Sequence, residues 1–247
     1  MSIDTGKTSS ATPPTIVLVH GAWHGGWCWE RLTPLLEQAG YRVLTPTLAG
    51  LGARQAELST QINMDTHVNE IAALVQAQPV PVVLLGHSYA GYVISGVADR
   101  LADSGKLRSL IYLDAFVPQD GERLADTRTP EDLAKMEASF AAGNPAYAKI
   151  PAKFFGITND ADIAWVDAQL TDHPAGTYLQ RIALKNKLPA SLKCGYIACT
   201  SPKLATIDAS KERVRADASW RYVELATGHD CMVTEPAALS QLILSLA

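Results

Sequence analysis

Residues 82–91 read Val82-Val83-Leu84-Leu85-Gly86-His87-Ser88-Tyr89-Ala90-Gly91. The apolar run at 82–85 is typical of a strand buried on both faces of a sheet, and the apolar residues after Ser88 have helical spacing. Small residues on both sides of Ser88 allow a tight strand-to-helix turn, which projects the hydroxyl from the carboxyl end of the strand. Ala90 stands where the usual G-x-S-x-G pattern has its last glycine, and Gly91 follows it. The stretch therefore predicts a nucleophilic serine at position 88.

Similar short apolar runs recur along the chain and predict further strands, with segments of helical period between them. The predicted strands are at residues 16–20, 42–45, 80–85, 109–113, 194–199 and 220–225. Strands that alternate with helices indicate an α/β domain, in which a mostly parallel sheet of about six strands carries helices on both faces.

The alternation fails between residues 113 and 194, where prolines separate short helical pieces. We interpret residues 118–189 as a helical lid inserted over one edge of the sheet. Residues 15–117 and 190–247 then form the core. The Ser/Thr/Pro-rich residues 1–14 are expected to be a flexible tail.

Composition excludes several classes of protein. The chain has 247 residues, of which 47% are hydrophobic and 19% charged, so it is neither disordered nor fibrous. A formal charge of −4 gives no cationic surface for phosphate backbones, so we expect no nucleic-acid partner. The four cysteines follow neither a disulfide nor a zinc pattern, and no apolar run reaches the ~18 residues of a membrane span. We therefore expect a cytoplasmic protein with reduced thiols, no membrane partner and no bound metal; its oligomeric state, monomer or homodimer, is left open.

A serine nucleophile needs a base, and His229 lies in the loop between the last strand and the last helix. Because the carboxyl ends of parallel strands lie along one edge of a sheet, this loop can reach Ser88. The glycine-bearing loop at 20–27 follows the first strand. It contains neither the G-x-G-x-x-G pattern nor the Walker pattern, so we do not expect it to bind phosphate. We expect the backbone N–H groups of Ala22 and Tyr89 to form an oxyanion hole.

The His-Gly loop at 20–21, the serine turn and the Gly-His-Asp at 228–230 together resemble the α/β-hydrolase fold superfamily. The segment from His20 to Trp27, with the helix after it, is similar to the plant methylesterase and hydroxynitrile lyase branch and its bacterial esterase relatives. The resemblance covers residues 15–117 and 190–247. Hydroxynitrile lyases of that branch carry threonine after the first-strand histidine and lysine near the catalytic histidine. Here Gly21 and Asp230 stand instead, which favours hydrolysis.

The acid of the expected triad is missing from its usual loop, because residues 200–203 contain no carboxylate. We expect Asp114, at the end of the strand that follows the nucleophile strand, to orient His229. Asp208 is the alternative, although it also fits as the first residue of a polar helix. Asp230 adjoins His229 and has difficulty folding back to its ring.

Together these features predict a cofactor-free serine hydrolase that cleaves a small carboxylic ester or lactone through an acyl-enzyme on Ser88. A cofactor-free lyase or oxygenase on the same scaffold is one alternative, and a non-catalytic ligand receptor is another. Residues expected to line the substrate pocket are Gly21, Trp23, His24, Phe116 and Trp165.

Overall fold

The computed structural model describes residues 14–247, so the predicted tail lies outside the described residues except for Pro14. Residues 14–247 contain eight strands. They are β1 (Thr15–Val19), β2 (Arg42–Leu44), β3 (Val82–His87), β4 (Leu107–Leu113), β5 (Ala146–Tyr147), β6 (His173–Pro174), β7 (Lys193–Cys199) and β8 (Trp220–Leu225).

Six of the strands form one sheet in the order β2-β1-β3-β4-β7-β8, and every neighbouring pair is parallel. The central strands β1 and β3 are buried along their whole length, whereas the edge strands β2 and β8 are partly exposed. This burial explains why β1 and β3 have continuous apolar sequences. The predicted six-stranded α/β fold is confirmed.

In the described part of the chain, nine α-helices connect or flank the strands. They are α1 (Thr33–Gln38), α2 (Met64–Gln76), α3 (Ala90–Arg100), α4 (Pro130–Ala141), α5 (Asp160–Asp167), α6 (Ala175–Leu179), α7 (Asp208–Arg215), α8 (Cys231–Thr234) and α9 (Pro236–Leu246). Within residues 14–247, none is long and apolar enough to cross a membrane.

Helices cover both faces of the sheet, as the alternation of side chains along the strands shows. Tyr112 in β4 is the register partner of Tyr196 in β7, and its hydroxyl bonds to Ser95 of α3 at 2.8 Å. Gly195, one residue before Tyr196, lies against Leu246 of α9. Because successive strand residues point to opposite faces, α3 and α9 lie on opposite sides of the sheet.

The chain between β4 and β7 stays outside the main sheet. It contains α4, α5 and α6, and β5 pairs with β6 in a short antiparallel ladder. Several of its backbone groups bond to loops at the carboxyl edge of the main sheet, such as Thr171 N–H to the Trp23 carbonyl at 3.0 Å. These contacts bring the segment over the edge where β1, β3 and β4 end.

Candidate active site

Ser88 occupies the turn between β3 and α3 with φ = 54°, in the left-handed region that non-glycine residues rarely adopt. Its N–H donates to the Leu113 carbonyl at 3.1 Å, and its carbonyl accepts from Gly91 at 3.1 Å and Phe116 at 3.2 Å. The turn is therefore held against the chain that leaves β4. The Ser88 side chain is half-buried, and its hydroxyl takes part in no hydrogen bond within residues 14–247.

Three glycines make room for this turn. A Cβ on Gly91 would lie 1.8 Å from the Phe116 carbonyl oxygen, and one on Gly86 would lie 2.7 Å from the Ala90 carbonyl oxygen. A Cβ on Gly21 would lie 2.9 Å from His87 Nδ1 and 3.1 Å from Ser88 Cβ. The backbone thus approaches itself so closely that any side chain at these positions would displace the serine turn. Gly21, expected in the substrate pocket, lies directly against Ser88.

Asp114 and His229 meet at the carboxyl edge of the sheet, although 115 positions separate them. His229 Nδ1 donates to Asp114 Oδ2 at 2.6 Å, and both side chains are buried. Asp114 follows β4 with φ = 41°, and its N–H donates to the Ile197 carbonyl at 2.7 Å. Asp208 instead pairs with Lys203 at 3.0 Å, and its side chain is one-third exposed.

The second oxygen of Asp114 is also fully occupied. Oδ1 accepts from the Cys199 N–H at 3.0 Å and pairs with Lys211 Nζ at 2.8 Å. Burial by itself raises the pKa of Asp114, but the bond and charge of His229, together with Lys211, outweigh burial and hold the pKa below its ordinary value. Asp114 is therefore an ionised acceptor that fixes the His229 ring.

Sequence reasoning missed Lys211. Its helix is polar overall, yet Ile207, Lys211 and Val214 are spaced i, i+4 and i+7, and all three are buried. A lysine on the buried stripe of a helix needs a counter-charge, because an unpaired buried charge is very costly. The spacing of these three residues in the sequence could therefore have indicated that a buried carboxylate lies near α7.

Ser88 and His229 are brought to the same edge without a direct hydrogen bond between them in the described part of the chain. The ring of His87, one residue before Ser88, lies 4.4 Å from the His229 ring, measured between centroids. His87 Nε2 donates to the His229 carbonyl at 3.1 Å. Catalytic hydrogen bonds are often long without substrate and tighten when it binds.

Two backbone donors lie beside this edge. The N–H groups of Ala22 and Tyr89 donate to no acceptor within residues 14–247. The N–H of Trp23, the residue after Ala22, donates to His173 Nδ1 at 3.3 Å. Trp23 has φ = 65°, which turns the loop after β1 back over the sheet edge. Two unengaged donors at the start of α3 and in the adjoining loop suit a developing negative charge.

Aromatic side chains surround Trp23, and most of them come from the segment between β4 and β7. The Trp23 ring faces Tyr147 at 5.6 Å, Phe155 at 6.0 Å and Tyr178 at 6.4 Å, measured between centroids. Phe155 also lies 6.2 Å from the His229 ring. Tyr147 and Tyr178 were not among the expected pocket residues, because their segment has no strand or helix period that would predict its packing.

The remaining expected pocket residues have other contacts. The Trp165 ring packs at 5.3 Å against Trp27 and under the Arg31 guanidinium at 5.0 Å. The Phe116 ring lies 6.2 Å from Tyr92, although its N–H bonds to Ser88. His24 is buried, and both of its ring nitrogens bond to protein oxygens.

Known proteins resemble this chain over nearly its whole length. The model of the alpha/beta hydrolase family matches residues 16–242. A carbendazim hydrolyzing esterase from Nocardioides sp. (strain SG-4G) is 35% identical over 93% of this chain and 98% of its own length. Methylesterase 2 of Arabidopsis thaliana is 26% identical over 94% of this chain and 95% of its own. The solved structure of an extracellular alpha/beta-hydrolase from a Paenibacillus species superposes with a TM-score of 0.78 at 24% identity, covering 95% of this chain and 99% of that one. With the family model spanning the sheet, the serine turn and the His229 loop, the chain belongs to the alpha/beta hydrolase family.

Proposed function

We propose that this protein hydrolyses a small carboxylic ester or lactone through an acyl-enzyme, with Ser88 as nucleophile, His229 as base and Asp114 as its orienting acid. The observation that carries the proposal is the 2.6 Å bond from His229 Nδ1 to buried Asp114, beside a serine in a left-handed turn. The esterase names of relatives that align over the whole chain support the same reaction class.

The tautomer of His229 follows from its bond to Asp114. Since the ionised carboxylate only accepts, Nδ1 carries the proton and Nε2 keeps its lone pair. Nε2 takes the Ser88 proton as Oγ attacks the ester carbonyl, and later gives it to the leaving alkoxide. An ester releases an alcohol, whereas the hydroxyl freed from a lactone stays on the acyl group; in both cases the acyl group remains on Ser88. Water then adds to the acyl carbonyl in the same way and releases the acid.

Charge accumulates on the carbonyl oxygen in each tetrahedral intermediate. The unengaged N–H groups of Ala22 and Tyr89 bind this oxyanion, a contribution of about 3 kcal/mol per donor in comparable enzymes. Lys211 balances the charge of Asp114 on the side away from His229. No organic cofactor or metal takes part in these steps.

Residues 118–189 act as the lid of this site and supply part of its apolar wall. The aromatic cluster at Trp23, Tyr147, Phe155 and Tyr178 favours an acyl or alcohol group with an apolar surface. Because one relative is named for hydrolysing carbendazim, that compound belongs in the substrate panel with methyl, aryl and p-nitrophenyl esters and lactones.

The experiment compares wild type with Ser88→Ala on this panel. We expect Ser88→Ala to lower kcat by about 10³-fold or more, since the remaining groups cannot form an acyl-enzyme. Ser191→Ala, which removes an exposed hydroxyl, is the matched control and should keep wild-type kinetics.

A fluorophosphonate should add to Ser88 of wild type, as read by peptide mass, and not to Ser88→Ala. Ester turnover that survives in Ser88→Ala, or tight ligand binding with no turnover in wild type, contradicts the proposal. The first result means that ester hydrolysis does not depend on Ser88, and the second points to a receptor.

We also place the protein in the cytoplasm. The four thiols, Cys28, Cys194, Cys199 and Cys231, are all free, as suits a reducing compartment. Fractionation of source cells tests this location, and recovery of the protein outside the cell contradicts it.

A further inference from the structure

A second histidine–carboxylate pair lies beside the proposed site. His24 Nε2 bonds to Asp230 Oδ2 at 3.0 Å, and His24 Nδ1 bonds to the Ala22 carbonyl at 2.7 Å. Both side chains are about 1% exposed, so solvent contributes almost nothing to their pairing. The proposed mechanism uses neither of them.

The partners of His24 fix its protonation state. A backbone carbonyl has no proton to give, so Nδ1 must donate to Ala22. Burial alone lowers the pKa of His24, but the charge and bond of Asp230 outweigh burial and raise it above its ordinary value. Burial raises the pKa of Asp230, yet the charge and bond of His24 outweigh it and lower that pKa. The shared proton therefore stays on Nε2, and His24 is an imidazolium opposite a carboxylate.

Few other ionisable groups face this pair. His87 Nε2 lies 4.0 Å from Asp230 Oδ1, His229 is the preceding residue, and His20 and the Cys28 thiol lie close enough to act electrostatically. Burial lowers the pKa of His20 to about 3 and that of His87 far below its ordinary value, and burial raises the pKa of the Cys28 thiol. His24 is consequently the group whose charge is favoured by, and balances, that of Asp230.

The pair joins the two loops that matter most for the proposed chemistry. His24 belongs to the loop after β1, and Asp230 directly follows His229 and precedes α8. The Asp230 N–H also donates to the Phe155 carbonyl at 3.1 Å, which ties this loop to the segment between β4 and β7. On the other side, the His24 bond fixes the Ala22 carbonyl, which lies in the peptide unit next to the one that carries the Ala22 N–H, the proposed oxyanion donor.

We propose that the His24–Asp230 ion pair is a positioning device, which locks Ala22 of the oxyanion loop to the loop that carries His229. This inference rests on the proposed function, because it assigns the pair to the oxyanion hole of that reaction. The oxyanion is absent from the bound substrate and develops only in the transition states and tetrahedral intermediates, so misplacing its donor lowers kcat and leaves KM nearly unchanged.

The test uses Asp230→Asn, which keeps the shape of the side chain and removes its charge. With the best ester of the panel, below the unfolding temperature, we expect kcat to fall about 10- to 100-fold and KM to change less than about threefold. Asp103→Asn, at an exposed position, is the charge-matched control and should match wild type.

In His24→Gln, kcat should fall by a similar factor. The double variant should lose no more kcat than either single variant, because the two residues act as one unit. Additive losses, or a kcat of Asp230→Asn within threefold of wild type, overturn the inference.

A measurement on the wild-type protein decides the matter if these variants fail to fold. In ¹⁵N-histidine NMR spectra at pH 6, we expect the ring of His24 to carry protons on both nitrogens, with the Nε2 proton bonded to Asp230. A neutral His24 at that pH overturns the inference. Turnover that persists in Ser88→Ala overturns the proposed function, whereas a Ser88-dependent enzyme that is indifferent to Asp230→Asn overturns this inference alone.

Discussion

Three residues carry the strained backbone of the described chain, and all three belong to the proposed site. Trp23, Ser88 and Asp114 are the non-glycine residues with positive φ within residues 14–247, at 65°, 54° and 41°. Each such conformation costs on the order of 1–3 kcal/mol unless its surroundings enforce it. Here hydrogen bonds enforce each one: His173 holds the Trp23 N–H, Leu113 holds the Ser88 N–H, and Ile197 holds the Asp114 N–H. The strain lies at the proposed nucleophile, at the proposed acid and next to Ala22, the proposed oxyanion donor.

At this scale, Asp114→Asn separates the two candidate acids. An asparagine cannot accept from His229 as a carboxylate does and favours the wrong tautomer, so we expect kcat to fall by a factor of about 10² to 10⁴. Asp208→Asn should cost little, because Asp208 pairs with Lys203 at the surface. Steady-state kinetics of both variants, with folding checked by circular dichroism, make the comparison. The reverse ranking would move the acid to Asp208.

Among the elements, the sequence predicted the strands better than the helix starts. The apolar run at 80–85 was correctly predicted to be a strand, but its bounds differ. The strand β3 spans Val82–His87, because it continues up to the serine turn. Asp65 is a residue type that often caps helices, yet it lies inside α2; Asn63 is the cap, and it shares a capping box with Thr66. Hydrophobic spacing marks which stretch is helical, whereas the choice between two neighbouring cap residues depends on local hydrogen bonds.

Contacts between distant elements were the part that could not be predicted. The residue types of Ser88, His229 and Asp114 and the edge rule for parallel strands indicated where they would meet. Nothing comparable pointed to Tyr147 and Tyr178, since the proline-interrupted segment that carries them has no repeating period. Packing of such a segment is set by side-chain fit with the rest of the molecule, which one sequence does not display.

The junction of β3 and α3 yields a prediction at the element scale. In Gly91→Ala the new Cβ would lie 1.8 Å from the Phe116 carbonyl, so the backbone that bonds Ser88 must move. We expect a loss of about 1–3 kcal/mol in the free energy of unfolding, together with a lower kcat. Urea denaturation and ester kinetics measure the two effects. In the control Gly195→Ala, the new Cβ meets the flexible end of Leu246 at 3.0 Å and should cost less. Equal losses in the two variants would contradict this account of the turn.

For the whole molecule, the histidines are the unusual feature. The chain has six, and every one of them is buried. Burial lowers the pKa of His20 to about 3 and of His67 to about 4, and it holds those of His87 and His173 far below their ordinary value. These four are therefore neutral in the folded protein at pH 5 to 7, whereas in the unfolded chain they take up protons below about pH 6.5.

Acid should consequently unfold this protein well above the pKa of its carboxylates. Between about pH 6.5 and 4 the unfolded chain binds more protons than the folded one, so the free energy of unfolding falls as pH falls, by up to about 1.4 kcal/mol per pH unit for each neutral histidine. His24, with its raised pKa, acts in the opposite sense: its contribution to the free energy of unfolding is complete below pH 6.5 and is lost as pH rises through its folded value.

Urea titrations from pH 8 to 5, followed by fluorescence of the five tryptophans, should show a steep decline in the free energy of unfolding on the acid side. His67→Asn, which removes the titrating ring but can still bond to Tyr89 from the Nδ1 position, should reduce that slope by about one proton. A free energy of unfolding that stays constant from pH 7 to 5 would mean that the buried rings gain protons in the folded state. The assignment of four neutral histidines in the folded protein would then be wrong.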